Sequence, residues 1–91
     1  SHTYVRDWDF IGTVDGWDKG VAHCTQRGKF NLGDSIEVLQ PDGSVVTLTP
    51  EWIKNAEGER VDATPHPMMQ YTIPCATPLM PYSLLRMRKP E

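Results

Sequence analysis

The sequence lacks the features that identify disulfide-linked scaffolds and membrane proteins. Only two cysteines, Cys24 and Cys75, occur in the 91 residues, which is too few for a disulfide framework, so we expect two reduced thiols. No apolar run approaches the roughly 18 residues that a membrane-spanning helix needs. No signal peptide is visible. We therefore expect no membrane partner and a cytoplasmic location.

Reactive chemistry is also missing from the sequence. No nucleophile is placed beside a base by its spacing, and no glycine-rich phosphate loop occurs. Three histidines are scattered without the close spacing of a metal site: His2, His23 and His66. Four carboxylates near the first predicted turn lack the calcium-loop pattern, and we interpret them as solvated: Asp7, Asp9, Asp15 and Asp18. We expect no cofactor, no metal and no catalytic residue in this domain.

The charge balance argues against a general polyanion binder. Nine Lys and Arg residues face 12 Asp and Glu residues, which gives a net charge of −3. A local basic face can still bind phosphates on an acidic protein. The length predicts one domain, residues 1–91, that buries about 60–65% of its unfolded surface.

The clearest pattern is a predicted β-hairpin. Two apolar, β-branched segments, 35–39 and 45–48, flank Pro41-Asp42-Gly43. Proline presets the second turn position and glycine accepts the left-handed conformation at the end of the loop.

The apolar pattern and the turn predict the same register for this hairpin. If Gln40 faces Ser44, then Val38 pairs with Val46, and Ile36 and Leu48 share their face of the sheet. Glu37 then faces Thr47 on the other side. Agreement between turn and pattern is what determines a hairpin register.

Turn signals between short alternating segments predict an all-β protein. The other predicted strands are 9–14, 21–26, 60–63, 68–73 and 82–87. Gly12 inside the first of them indicates a bulge or a close approach, and residues 15–20 read as a glycine-punctuated turn. Thr49-Pro50 resembles a helix start, which predicts one short helical turn over 49–55. The expected architecture is a small six- to seven-stranded antiparallel barrel with that helical turn.

The candidate binding residues are basic and aromatic side chains, and a set of this kind suits RNA as its ligand. The candidate cations are Arg27, Lys29, Arg86, Arg88 and Lys89. The candidate stacking rings are Trp17, Phe30 and Tyr82. The competing interpretation is a set of scattered surface charges. Trp52 is interpreted as a packing residue, with base stacking as its alternative.

Three segments resemble the C-terminal domain of the collagenase-like peptidase family U32. They are QRGKFNLGDSIEVLQPDG, the Gly58-Glu59 turn that leads to Ala63-Thr64-Pro65-His66-Pro67, and Tyr82-Ser83-Leu84-Leu85-Arg86. The Gly33-Asp34 step before a strand is also similar to the second, β-barrel domain of translation elongation factors. The resemblance covers roughly residues 4–88 and implies an accessory barrel that belongs to a larger enzyme.

The resemblance also implies partners. Family members are peptidases or proteins linked to RNA hydroxylation, and their catalytic part is absent from this chain. The expected function is therefore a non-catalytic module that helps a parent catalytic domain recognise a polypeptide or tRNA substrate. Two alternatives stay open: a stand-alone peptidase fragment that uses Cys24, Cys75 or a serine as its nucleophile, and a structural docking or dimerisation module.

Overall fold

The computed structural model describes residues 8–88, which form eight β-strands. In chain order these are β1 Trp8–Asp18, β2 Val21–Gln26, β3 Ile36–Leu39, β4 Val45–Leu48, β5 Ile53–Asn55, β6 Arg60–Val61, β7 Gln70–Pro74 and β8 Leu84–Arg88. Within this part of the chain there is no helix, and so none that could span a membrane. The predicted all-β class is confirmed.

The strands form one antiparallel sheet in the order β4-β3-β8-β1-β2-β7-β5-β6. The sheet curls into a small barrel-like domain without closing, since β4 and β6 remain at its two ends. Eight strands are present instead of the predicted six or seven. The difference arises because the segment predicted as a helix contributes β5, a strand of three residues.

Two loop segments, 30–32 and 62–64, form a seam that ties the two halves of the sheet together. Asn31 and Ala63 make an isolated antiparallel bridge, and the Thr64 N–H donates to the Phe30 carbonyl at 3.1 Å. The Thr64 hydroxyl in turn accepts the Phe30 N–H at 3.1 Å. Thr64 is fully buried, and its polar groups are thereby satisfied as burial requires.

The β3–β4 hairpin has the predicted register. Val38 pairs with Val46, Ile36 with Leu48, and Glu37 with Thr47. Gly43 has the left-handed φ of 90° that the turn requires. Ile36 and Val38 are fully buried, so a shift of one residue would expose both of them.

Gly12 shows both of the features predicted for it. The β1–β8 register shifts between Phe10 and Gly12, which is a bulge. A Cβ on Gly12 would lie 2.9 Å from the Tyr71 hydroxyl and 2.9 Å from the Thr25 carbonyl oxygen. The space beside Gly12 is therefore occupied by the Tyr71 hydroxyl.

The predicted helical turn over 49–55 is wrong. Residues 49–52 form no regular element and bend at Glu51, and Ile53–Asn55 pairs with both β6 and β7. The side-chain oxygen of Asn55 accepts the N–H groups of Glu57 and Glu59 and so closes the next turn. One or two helical turns are costly to nucleate, whereas strand pairing at this position buries Ile53 completely.

The predicted turn over residues 15–20 is mostly strand. β1 continues to Asp18, and only Lys19 and Gly20 form the turn. A second register shift lies between Val14 and Gly16. Bulges absorb irregular residues without ending a strand, so the glycine at position 16 does not break β1.

The core lies inside the curl of the sheet. Ala22 and Cys24 point inward from β2 as predicted, while His23 is exposed between them. Tyr71 and Ile73 are buried on β7, and Met69 packs against the core beside them. The remaining buried apolar side chains are Ile11, Val14, Phe30, Ile36, Val38, Ile53, Cys75, Leu79 and Leu85.

Candidate functional site

The outer surface of β3, β8 and β1 carries exposed rings and cations, and we call it the β1–β8 face. Phe10 on β1 pairs with Arg86 on β8, and Arg86 pairs with Glu37 on β3. Trp8 pairs with Arg88 at the end of the same two strands. Because side chains alternate along a strand, residues 8 and 10 point away from the core that Ile11 enters.

A shallow depression of about 300 Å³ lies in this face. Its lining, which defines the Trp8 depression, consists of Trp8, Phe10, Leu39, Leu84 and Arg86. Phe10 is 49% exposed and Leu84 is 41% exposed. Four of the five lining side chains are apolar or aromatic, and the fifth supplies a positive charge.

Two guanidinium groups lie against the Trp8 ring. The Cζ of Arg86 is 4.1 Å from the ring centroid and the Cζ of Arg88 is 5.4 Å from it. Both distances are within the range of cation–π attraction. The pairing keeps two positive charges on a surface that also carries apolar rings.

Glu37 orients Arg86 across the sheet. The Arg86 Nη2 and Nε donate to one carboxylate oxygen of Glu37 at 2.8 Å and 3.1 Å. Both side chains are less than a third exposed, so solvent screens this ion pair less than a fully exposed one. The guanidinium is thereby held over Trp8 instead of extending into solvent.

A second hollow, the Arg27–Tyr82 cleft, adjoins the Trp8 depression. It has a volume of about 530 Å³ and is lined by Thr13, Val14, Asp15, Arg27, Pro81, Tyr82 and Leu84. Leu84 lines both hollows, so they lie side by side.

Tyr82 is the most prominent ring of this cleft. It is 85% exposed and has a φ of 70°, a conformation that is rare for a bulky residue. Its N–H donates to the Val14 carbonyl at 2.9 Å, which holds the backbone in place. The fold thus holds an aromatic side chain outward in a conformation that costs free energy.

The structure brings together only some of the predicted site residues. Arg27, Tyr82, Arg86 and Arg88 lie on or beside the β1–β8 face. Lys29 is exposed and follows Gly28, whose N–H donates to the Ile11 carbonyl at 3.2 Å. The segment 27–29 therefore borders β1. Lys89 lies outside the described residues, as do His2 and Asp7.

Two predicted stacking residues are elsewhere. Phe30 is 1% exposed and meets Tyr71 edge-on with centroids 5.7 Å apart, so its ring has no surface for a ligand. Trp17 packs against the core and its Nε1 donates to the Cys75 carbonyl at 2.8 Å. Trp52 is partly buried beneath the Lys54 ammonium at 4.9 Å, which agrees with a packing role.

The sequence interpretation missed Trp8, Phe10, Leu39 and Leu84. A signal was present, because Trp8 and Phe10 are two residues apart and out of phase with buried Ile11. On one strand that spacing places both rings on the outer face. Which strands would border β1 was not readable from the sequence, and so neither was the depression.

The thiols lack the features of a nucleophile. His23 and Cys24 are consecutive in β2 and point to opposite sides, with His23 exposed and Cys24 buried. Burial, assisted by Asp15 and Cys75, raises the pKa of the Cys24 thiol above its usual range. Burial also raises the pKa of Cys75. Because the thiolate is the reactive form, both groups are held in the unreactive state.

No cluster of three or more potential metal ligands occurs within residues 8–88. Asp15, one of the carboxylates near the first turn, accepts a hydrogen bond from the Thr25 hydroxyl. Both cysteines are free in the structure.

Comparison with known proteins identifies relatives for nearly the whole chain. "tRNA hydroxylation protein P1" of Bacillus subtilis (strain 168) is 29% identical over 90 residues, which are 97% of this chain and 21% of that protein. "tRNA hydroxylation protein P" of Escherichia coli (strain K12) is 37% identical over 57 residues, 62% of this chain and 12% of that protein. The chain thus spans about a fifth or less of these two relatives.

Solved structures of a similar domain have the same fold. Two crystal structures contain the C-terminal domain of a Geobacillus thermoleovorans protein that is named a U32 peptidase. One superimposes with a TM-score of 0.81 at 30% identity, covering 99% of this chain and 100% of that one. Its selenomethionine variant gives a TM-score of 0.80 at 34% identity, covering 89% and 99%.

The family profile of the peptidase family U32 C-terminal domain matches residues 6–86. This match spans the predicted hairpin and all but the last two residues of the strands that form the β1–β8 face. The chain belongs to the family of peptidase U32 C-terminal domains.

Proposed function

We propose that this domain binds tRNA through the β1–β8 face and presents it to a catalytic domain in the parent protein. The observation that carries the proposal is the pair of arginines held against an outward Trp8 ring, beside exposed Phe10 and Tyr82. Cations that neutralise phosphates and rings that stack on bases are the two components of single-strand RNA recognition.

The names of two relatives support RNA as the ligand. Both are called tRNA hydroxylation proteins, and the present chain matches a small share of each. The domain is then an accessory module, and the chemistry occurs in the larger remainder of such a protein. In this proposal the domain acts in the cytoplasm, where tRNA is located.

A different hollow fits RNA less well. A cleft of about 590 Å³ beside β5 and β6 is lined by Glu57 and Asp62 and by no Lys or Arg. Carboxylates repel phosphates. The two hollows of the β1–β8 face contain one carboxylate, Asp15, against two arginines, Arg27 and Arg86, so phosphate contacts favour that face.

Titration of tRNA at several salt concentrations tests the proposal. Affinity should fall steeply with salt, and the Arg27→Ala, Arg88→Ala double variant should bind more weakly at all concentrations. Each lost phosphate contact should reduce the slope of log K against log salt by about 0.7–0.9.

Arg60→Ala is the matched control, because Arg60 is an exposed arginine on β6, at the far end of the sheet from β4. Its affinity and salt slope should equal those of the unaltered protein. Absence of tRNA binding at low salt, or an equal effect of Arg60→Ala, would contradict the proposal.

A further inference from the structure

We infer that the Trp8 depression holds one unpaired nucleotide base, so that the domain selects single-stranded over double-stranded RNA. The inference rests on the proposed function and specifies the part of the RNA that the face recognises.

The size of the depression fits one planar ring system. Its volume of about 300 Å³ is at the lower end of the range of about 300–1,000 Å³ for small-molecule sites. A nucleobase fits within such a hollow, whereas a duplex presents a broad surface of sugars and phosphates that cannot enter it.

The lining chemistry fits a base with a phosphate attached. Phe10 and Leu84 offer exposed apolar area for the faces of a ring. Arg86 is held at the rim by Glu37 and lies over Trp8. A planar guanidinium both stacks on rings and binds phosphate, so one side chain can serve a base and the backbone next to it.

The surroundings provide a path for the rest of the strand. Leu84 joins the depression to the Arg27–Tyr82 cleft, where an exposed ring and a second arginine follow. Successive bases of a single strand are commonly stacked on successive aromatic side chains along a basic groove. A paired strand cannot use this arrangement because its bases are already stacked inside the helix.

The direct test compares a short single-stranded RNA with the blunt duplex of the same length. The single strand should bind at least about tenfold more tightly. Phe10→Ala should weaken binding of the single strand by about 5- to 150-fold, the range for one lost base–aromatic stack. Leu84→Ala provides a second variant of the same wall, and thermal melting establishes that each variant is folded.

Leu32→Ala is the matched control for Leu84→Ala. Leu32 is an exposed leucine at 40%, close to the 41% of Leu84, and it is not part of the lining of the depression. Its removal should leave the affinity for both RNAs unchanged. Fluorine NMR of protein labelled with 5-fluorotryptophan should show that the single strand shifts the Trp8 signal and leaves those of Trp17 and Trp52 in place.

The outcomes separate this inference from the proposed function. If tRNA binds but single strand and duplex bind equally, or if Phe10→Ala and Leu84→Ala have no effect, the base site is refuted and the proposed function survives. If no RNA binds, the proposed function fails. If the Trp8 signal shifts only when the parent catalytic domain is added, the depression is a protein contact and the inference is overturned.

Discussion

Gly12 and Tyr71 illustrate how single residues determine the packing of this core. The bulge at Gly12 leaves room for the Tyr71 hydroxyl, which has no nitrogen or oxygen partner among the described residues. Its polar neighbour is the thiol of Cys24, which is a weak hydrogen-bond partner. A buried glycine and a poorly paired hydroxyl are thus packed directly against each other in the core.

Gly12→Ala should lower the free energy of unfolding by about 1–3 kcal/mol, because the added methyl group overpacks the core. Gly16→Ala is the control on the same strand, since no atom lies within 4 Å of the Cβ it would add. Its effect should stay within about 0.5 kcal/mol. Urea denaturation measures the free energy of unfolding of both variants. Equal effects would show that the close contact with Tyr71 does not destabilise Gly12→Ala.

The buried Cys24 thiol predicts a loss of stability at high pH. Its folded pKa is raised above the ordinary value of 9.0, so only the unfolded chain releases this proton just above that pH. The stabilising contribution is complete below pH 9 and decreases as the pH rises through the folded pKa. Above pH 9, the free energy of unfolding of the unaltered protein should fall by up to about 1.4 kcal/mol more per pH unit than that of Cys24→Ala.

Urea melts under reducing conditions at several pH values from neutral to alkaline provide the measurement. Burial and Cys24 raise the pKa of Tyr71 above its ordinary value of 10.0, so Tyr71 stays protonated in the folded and the unfolded chain below pH 10, and the two proteins are compared in that range. Parallel pH dependences for the two proteins would contradict the buried-thiol explanation.

Among the elements, the β3–β4 hairpin was readable from the sequence and the helical turn was not. In the hairpin, turn chemistry and apolar alternation both specify the pairing of Val38 with Val46. Over 49–55 the residues were suitable for capping a helix, but this segment pairs with β7, and no local sequence pattern indicates that pairing. Tertiary pairing overrode a local helix signal.

Val38→Ala should cost about 1.5–3 kcal/mol through lost burial and the cavity that remains. Val45→Ala makes the same chemical change in the same hairpin at an exposed position and should cost less than about 0.5 kcal/mol. Urea melts of the two variants give the comparison. A larger effect at position 45 would mean that the hairpin register is wrong.

At the scale of the whole molecule, the seam between 30–32 and 62–64 connects parts of the sheet that strand pairing leaves unconnected. The sheet ends at β4 and β6 without closing, and the two loop segments hold it in a curl through backbone bonds and the Thr64 hydroxyl. Gln26 adds a bond from its Nε2 to the Thr64 carbonyl at 2.6 Å. The barrel-like shape therefore depends on a few buried polar contacts.

Thr64→Val should lower the free energy of unfolding by about 1–3 kcal/mol, because the Phe30 N–H would lose a buried acceptor without any change in shape. Thr47→Val is the control, since Thr47 is an exposed strand residue and should change stability by less than about 0.5 kcal/mol. Thermal or urea melts decide. A neutral Thr64→Val would show that the seam contributes shape but little stability.

The sequence by itself determined the all-β class, the hairpin register, the inward phase of β2 and β7, and the family, because each depends on local alternation, turn residues or a contiguous motif. Only the tertiary structure decided that β8 lies between β3 and β1, which brings Trp8, Phe10 and Arg86 together. It also decided that Phe30 and Trp17 face the core. Strand order depends on long-range burial, and no local pattern in the chain encodes which strands become neighbours.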